Sequence, residues 1–169
     1  MAGTKEKLQG LIISVNAKSE QASLDLKDFL PYRLSIVTNK VSRNLGEMYS
    51  SKFNLSIAEW RVMAVLGQEQ DLSADEVCQN TEMDKVSVSR AVTKLLKKKQ
   101  IVRKFSEQDR RRSMLRLSRS GRAIYDQIVP LALDYEEELL GGLSTREILQ
   151  FDRLLDKLTK QAGSLSKSR

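Results

Sequence analysis

The 169-residue chain contains no histidine and a single cysteine, Cys78. That pair of scarcities excludes most Ser–His and Cys–His nucleophilic chemistry. It also leaves no nitrogen and sulfur donor set for a zinc, copper or iron site. A lone cysteine permits no disulfide within the chain, which fits a reducing cytoplasm, and Cys78 itself reads as a small core residue. There is no run of 18 apolar residues, so no transmembrane helix is expected. The short apolar patch from Leu11 to Val15 has no small-residue cleavage site behind it and is not read as a secretory signal. A Gly-rich phosphate loop and paired acids at pocket spacing are missing too. No catalytic residue, metal or cofactor is therefore expected, and an enzyme is the weakest reading.

Positive charge is what the chain has, and it is unevenly spread. Residues 84–122 carry 14 Lys and Arg against Asp84, Glu107 and Asp109, although the whole chain sums to only +7. The remainder is thus net negative. Such asymmetry in one contiguous segment matches an electrostatic footprint for nucleic acid.

Three S-x-x-E boxes, Ser56–Glu59, Ser73–Glu76 and Ser144–Glu147, each precede an apolar-periodic run and predict helix starts. An earlier helix is predicted from about Phe29, with Pro31 in its first turn and Leu30, Leu34, Val37, Val41, Leu45 and Met48 at helical spacing. The second helix closes near Gly67, "DLS" reads as a lone short strand, and a brief third helix follows. Residues 84–98 form a fourth. Two strands at about 101–106 and 113–118 make a hairpin. Ser118 or Ser120 then caps a long helix with a kink expected at Pro130, and Gly141–Gly142 end it. Residues 1–27 read as a flexible arm, 28–162 as one domain and 163–169 as a disordered tail. The expected class is mainly α with a small β-hairpin: a winged helix-turn-helix at about 55–118, flanked by helices at about 28–52 and 119–162.

On a helical wheel of residues 84–98, Val88, Ala91, Val92, Leu95 and Leu96 form one stripe, with Asp84 as N-cap. Val86, Ser87, Arg90, Thr93, Lys94 and Lys97 fall opposite. This acid-free outer face suits a major groove: arginine can make a bidentate contact to guanine, serine can meet a donor or an acceptor, and valine can touch a thymine methyl. Lys94, Lys97 and neighbouring lysines such as Lys85 would meet phosphates. At the hairpin tip, "EQDRRRS" sets Arg110, Arg111 and Arg112 beside Asp109. Arginine favours a narrow minor groove, and Asp109 is close enough in sequence to orient one guanidinium.

The run Asp109-Arg110-Arg111-Arg112…Leu115-Arg116-Leu117-Ser118…Gly121 resembles the wing signature D-x-R…L-x-L-T/S…G of the multiple-antibiotic-resistance regulator (MarR) family. "DKVSVSRAVTKLLKKKQIVRK" is similar to that family's recognition helix and first wing strand. The resemblance implies Arg111 as the minor-groove arginine, Asp109 as its partner, and Ser87, Ser89 and Arg90 among the major-groove readers. Ser89 sits at the edge of the free face on the wheel. Arg112 departs from the family's usual small wing residue, and Ser118 stands where threonine is commoner.

The resemblance also implies a homodimer on double-stranded DNA, with the first and last helices as the dimer body. The apolar residues Leu34, Val37, Ile124, Ile128, Leu131, Leu139, Ile148, Leu154, Leu155 and Leu158 agree, since they exceed what one winged domain can cover. Two such units would read a pseudo-palindrome with half-sites about one helical turn apart. Many family members release DNA on binding a small aromatic or anionic effector. "DFLPYRLSIVTNKVSR", "EWRVMAVLG" and "IVPLALDYE" resemble a branch that responds to aromatic acids or their coenzyme A thioesters. The expected effector residues are Tyr32, Arg33, Trp60 and Met63, where the first two helices meet; core and surface roles remain open for them. An architectural DNA binder without effector, and a winged module docking an acidic protein, are the alternatives.

Overall fold

The computed structural model describes residues 24–105 and 113–167. Six helices and two strands follow the expected order: α1 (Leu30–Phe53), α2 (Ile57–Gln68), α3 (Ala74–Thr81), α4 (Lys85–Lys97), β1 (Ile101–Phe105), β2 (Ser113–Leu117), α5 (Arg119–Leu140) and α6 (Thr145–Lys167). The tip that joins the strands, with Asp109, Arg110, Arg111 and Arg112, lies outside the described residues. No helix among the described residues is long and apolar enough to cross a membrane.

Local chemistry sets the boundaries. Ser56 and Ser73 each accept from the backbone N–H three residues on, while Glu59 and Glu76 reach back to the cap N–H. Ser144 and Glu147 make the same exchange before α6, and Ser144 holds the Glu147 carboxyl below its ordinary range. Each box satisfies donors that a helix end leaves free. Asn54 ends α1 and Glu82 ends α3, both in the left-handed region. Of the two serines offered for α5, Ser118 is the cap, accepting from Gly121 N–H at 3.0 Å. Ser120 donates instead to the Lys99 carbonyl.

The core lies inside the winged unit. Leu55, Val62, Met63, Leu66, Val77, Leu95, Ile101 and Leu115 are fully buried. The strands pair antiparallel from Ile101↔Leu117 to Phe105↔Ser113. Leu72 joins them as a one-residue third strand, exchanging both backbone hydrogen bonds with Leu115 at 3.1 and 2.7 Å. The "DLS" strand is thus reduced to a single bridge. Trp60 of α2 lies between Tyr49 of α1 (centroids 5.2 Å apart) and Tyr125 of α5 (5.7 Å, planes 27° apart), which ties both flanking helices to the winged unit.

Helix α2 ends at Gln68, beside Gly67 as expected; a methyl group at Gly67 would run into the Tyr125 ring, so the glycine also serves close packing. Helix α5 runs from Arg119 to Leu140 with Pro130 inside it. Two expectations change. Helix α6 reaches Lys167 and so takes in most of the expected tail: no proline interrupts 163–167, and the Ser164 hydroxyl bonds back to the Gln161 carbonyl. Finally, Ile128 is fully buried and Ile124 packs on the same core. These two serve the chain's own interior, since the first half of α5 lies on α2 and the hairpin.

Most of the remaining apolar surplus is exposed among the described residues, Leu131 and Ile148 being half-buried. In α6, Ile148, Phe151, Leu155, Leu158, Ala162 and Leu165 repeat at alternating spacings of three and four, the seam of a helix that packs along another. Yet Phe151, Leu155, Leu158 and Leu165 are exposed, as are Leu34 and Val37 of α1. Helix α6 makes no extended packing contact with any other described element.

Candidate nucleic-acid interface and an adjoining cleft

Helix α4 is held by one face and open on the other. Val88, Ala91, Val92 and Leu95 are buried against α2 and α3, while Val86 is 58% exposed and Arg90, Lys94 and Lys97 project from the same open side. Asp84 accepts from Ser87 N–H at 2.8 Å and from the Ser87 hydroxyl at 2.6 Å. The Ser87 bonds hold its carboxyl below the ordinary range, so the cap stays ionised. Ser87 is consequently half-buried with its hydroxyl proton committed, and can act toward a base only as an acceptor. Ser89, at the edge of the wheel, is the exposed serine of the helix.

Ion pairs divide the basic segment in two. Lys85 pairs with Asp75 at 2.9 Å, which raises the lysine above its usual range. Lys98 pairs with Glu59 at 2.7 Å, Arg116 with Asp71 at 2.6 Å, and Arg122 lies 3.9 Å from Asp126. Arg90, Lys94, Lys97, Lys99, Arg103, Lys104 and Arg119 are exposed and make no ion pair among the described residues. Six of the seven line α4, its exit and the first strand of the hairpin, and Arg119 opens α5; together they place unpaired positive charge beside the open face of α4.

Two of the paired cations were not distinguishable from footprint charge in the sequence. Arg116 makes a bidentate contact to Asp71, Nε to Oδ1 at 2.7 Å and Nη2 to Oδ2 at 2.6 Å. Asp71 adopts the left-handed region, φ 64°, one residue before the Leu72 bridge. The fork therefore pins the wing to the loop between α2 and α3. Asp71→Asn is expected to weaken DNA binding about fivefold by loosening that planar pairing, as titration of a fixed duplex would show. If Arg116 acted only through its charge, removing an acid would tighten binding instead. Lys98 donates to the buried Glu59 carboxylate and to the Asn54 carbonyl at 2.6 Å, locking the end of α4 to the turn between α1 and α2.

The expected effector residues do not come together. Tyr32 and Arg33 are exposed at the start of α1, whereas α1 meets Trp60 at Tyr49. Seventeen residues of helix separate them, roughly 25 Å along the axis. Met63 is fully buried in the core. Trp60 alone borders open space: a cleft of about 410 Å³ between α1, α2 and α5, walled by Leu45, Trp60, Tyr125, Val129, Leu133 and Tyr135. Tyr125, Tyr135 and the α5 wall were missed because they lie more than 60 residues from Trp60. The spacing of Tyr125, Val129, Ala132 and Leu139, at steps of four, three and seven, was the available signal.

The MarR family model matches residues 53–112, from the end of α1 through the winged unit. A MarR/EmrR family regulator from Acinetobacter sp. ADP1 shares the fold at a TM-score of 0.78 with 27% identity, over 83% of this chain and 99% of that one. The HTH-type transcriptional regulator PapX of Escherichia coli is 23% identical over 83% of this chain and 87% of its own length. BpsR of Bordetella bronchiseptica, whose DNA binding is regulated by 6-hydroxynicotinic acid, shares the fold at a TM-score of 0.74 and 21% identity, over 82% of this chain and 98% of that one. These relatives are transcriptional regulators, and the chain resembles the MarR family in sequence across the winged unit and in fold over most of its length.

Proposed function

We propose that the chain acts as a homodimeric transcription repressor that binds a pseudo-palindromic operator and is released when a small aromatic molecule enters the cleft beside Trp60. The observation that carries this reading is the open face of α4. It offers Arg90, Ser89 and Val86 to base edges and Lys94 and Lys97 to phosphates, on a helix anchored by its buried stripe. Asp109 and the arginines Arg110, Arg111 and Arg112 add a minor-groove contact in this reading, with Arg111 the inserted group. Dimerisation is supported by the uncovered seam of α6 and the exposed first half of α1. A two-fold pair would set two α4 helices about one DNA turn apart.

The effector part rests on the cleft, whose aromatic walls join the helix that docks α1 to the helix that leads toward α6. A ligand there would change the angle between the dimer body and the winged unit, and so the spacing of the recognition helices. An aromatic acid or its thioester paired by Arg33 receives no support, because Arg33 lies at the far end of α1 from Trp60.

Arg90→Ala tests the recognition face. It is expected to cost about 1–3 kcal/mol on the preferred operator and to relax preference at one base pair. Equal weakening on every duplex would make Arg90 a phosphate contact. A stable folded monomer in equilibrium sedimentation would remove the two-half-site model altogether.

A further inference from the structure

One residue is out of character in the cleft. On α5 the stripe that borders the cleft runs Tyr125, Val129, Ala132, Glu136, Leu139, at intervals of four, three, four and three, with Glu136 and Leu139 exposed at its rim. An apolar residue at 136 would complete the stripe, but the position holds a carboxylate. Glu136 makes no ion pair or hydrogen bond among the described residues, and no Lys or Arg borders the cleft. Arg122 lies 4.9 Å from the Tyr125 ring centre and is committed to the Gly67 carbonyl at 3.0 Å. The last ten residues of α5, 131–140, carry four acids, Asp134, Glu136, Glu137 and Glu138, and no base.

We propose that the cleft selects a planar aromatic cation over an aromatic carboxylate, with Glu136 as the counter-charge. The inference rests on the reading of this cleft as the effector site and specifies its ligand class. A flat ring gains contact with Trp60, Tyr125 and the aliphatic wall whatever its charge. Its charge then decides the preference. A carboxylate would meet Glu136 and the acidic end of α5 with nothing to neutralise it. A ring nitrogen cation meets Glu136 and the π faces of the aromatic wall, each a favourable contact. The Tyr135 hydroxyl, which accepts from Asn44 at 3.4 Å, stays free to donate to a neutral substituent.

The test uses the full-length dimer and two bicyclic probes of matched size, N-methylquinolinium and 2-naphthoate, each titrated calorimetrically. The quinolinium is expected to bind about tenfold more tightly, a difference typical of one partly solvated counter-charge plus a cation–π contact. Glu136→Gln should bring the two affinities within about twofold while leaving the thermal melt unchanged. Ala132→Phe, which fills the cleft, should abolish both. Naphthoate binding as tightly as quinolinium, with Ala132→Phe still abolishing both, overturns the charge assignment and keeps the cleft as an aromatic site. A preference that survives Glu136→Gln overturns it as well, and a weakened dimer in that variant would assign Glu136 to the second copy. If neither probe binds a protein that still binds DNA, the cleft reading fails together with the proposal.

Discussion

Gly121→Ala is expected to destabilise the protein by about 3 kcal/mol, the upper range for forced overpacking. That corresponds to a fall in Tm of roughly 6–12 °C for a chain of this size. Gly121 is buried in the first turn of α5, directly over the junction between α4 and β1. A methyl group there would overlap the Gln100 carbonyl oxygen and stand 2.8 Å from its carbon. Backbone cannot swing away as a side-chain end can. The same carbonyl accepts from Ser118 N–H and from the Ser118 hydroxyl, both at 3.0 Å. Moving α5 outward would stretch those bonds, loosen the cap and shift the base of the wing, so DNA binding should fall along with stability. Gly163→Ala makes the control. Nothing lies within 4 Å of that position, and relief from a helical glycine should stabilise by about 0.5–1 kcal/mol. Equal melts for Gly121→Ala and the parent would mean that the close approach of α5 to Gln100 is wrong.

Lys98→Met should cost about 2–3 kcal/mol, and the loss should depend on pH. Glu59 is 3% exposed, and its partner Lys98 is 29% exposed. Removing one member of such a pair strands a buried charge, a change that costs about 3–5 kcal/mol when both partners are buried and less where water reaches one of them. Burial by itself would raise the Glu59 carboxyl, but the Lys98 bond and the two Ser56 bonds outweigh it and hold the group below its ordinary range. A depressed carboxylate contributes stability that is complete above its unfolded value, about 4.3, and is lost as pH falls through the lower folded value. In Lys98→Met, burial is opposed only by Ser56, so the folded carboxyl moves up. The deficit against the parent should therefore be full at pH 7 and shrink as the pH is lowered toward 4. Urea unfolding at several pH values checks this. A deficit independent of pH would show that Lys98 acts through its packed stem or the Asn54 carbonyl.

What the sequence made legible was local. A serine and a glutamate three apart, an aspartate before Ser87, and a stripe at 88, 91, 92 and 95 each report on one turn of helix, and all formed as read. Partners distant along the chain stayed hidden. Glu59 and Lys98 are 39 residues apart and Asp71 and Arg116 are 45 apart. By composition alone, Lys98 and Arg116 were simply two more charges in a basic segment. The effector site failed for a geometric reason. Tyr32, Arg33 and Trp60 sit on consecutive helices, but α1 is 24 residues long and docks through its second half. Ile124 and Ile128 were assigned to the dimer face because periodicity identifies an apolar stripe without naming what covers it.

The central claim is that the open face of α4 reads a sequence. Selecting duplexes from a random pool with the full-length protein, then titrating the recovered site at several salt concentrations, tests it most directly. The account predicts a pseudo-palindrome with half-sites about one helical turn apart, bound at least ~10³-fold more tightly than random DNA. Recovery of no motif, with weak binding that falls steeply with salt on every duplex, would contradict it and leave a basic surface that holds DNA without reading it.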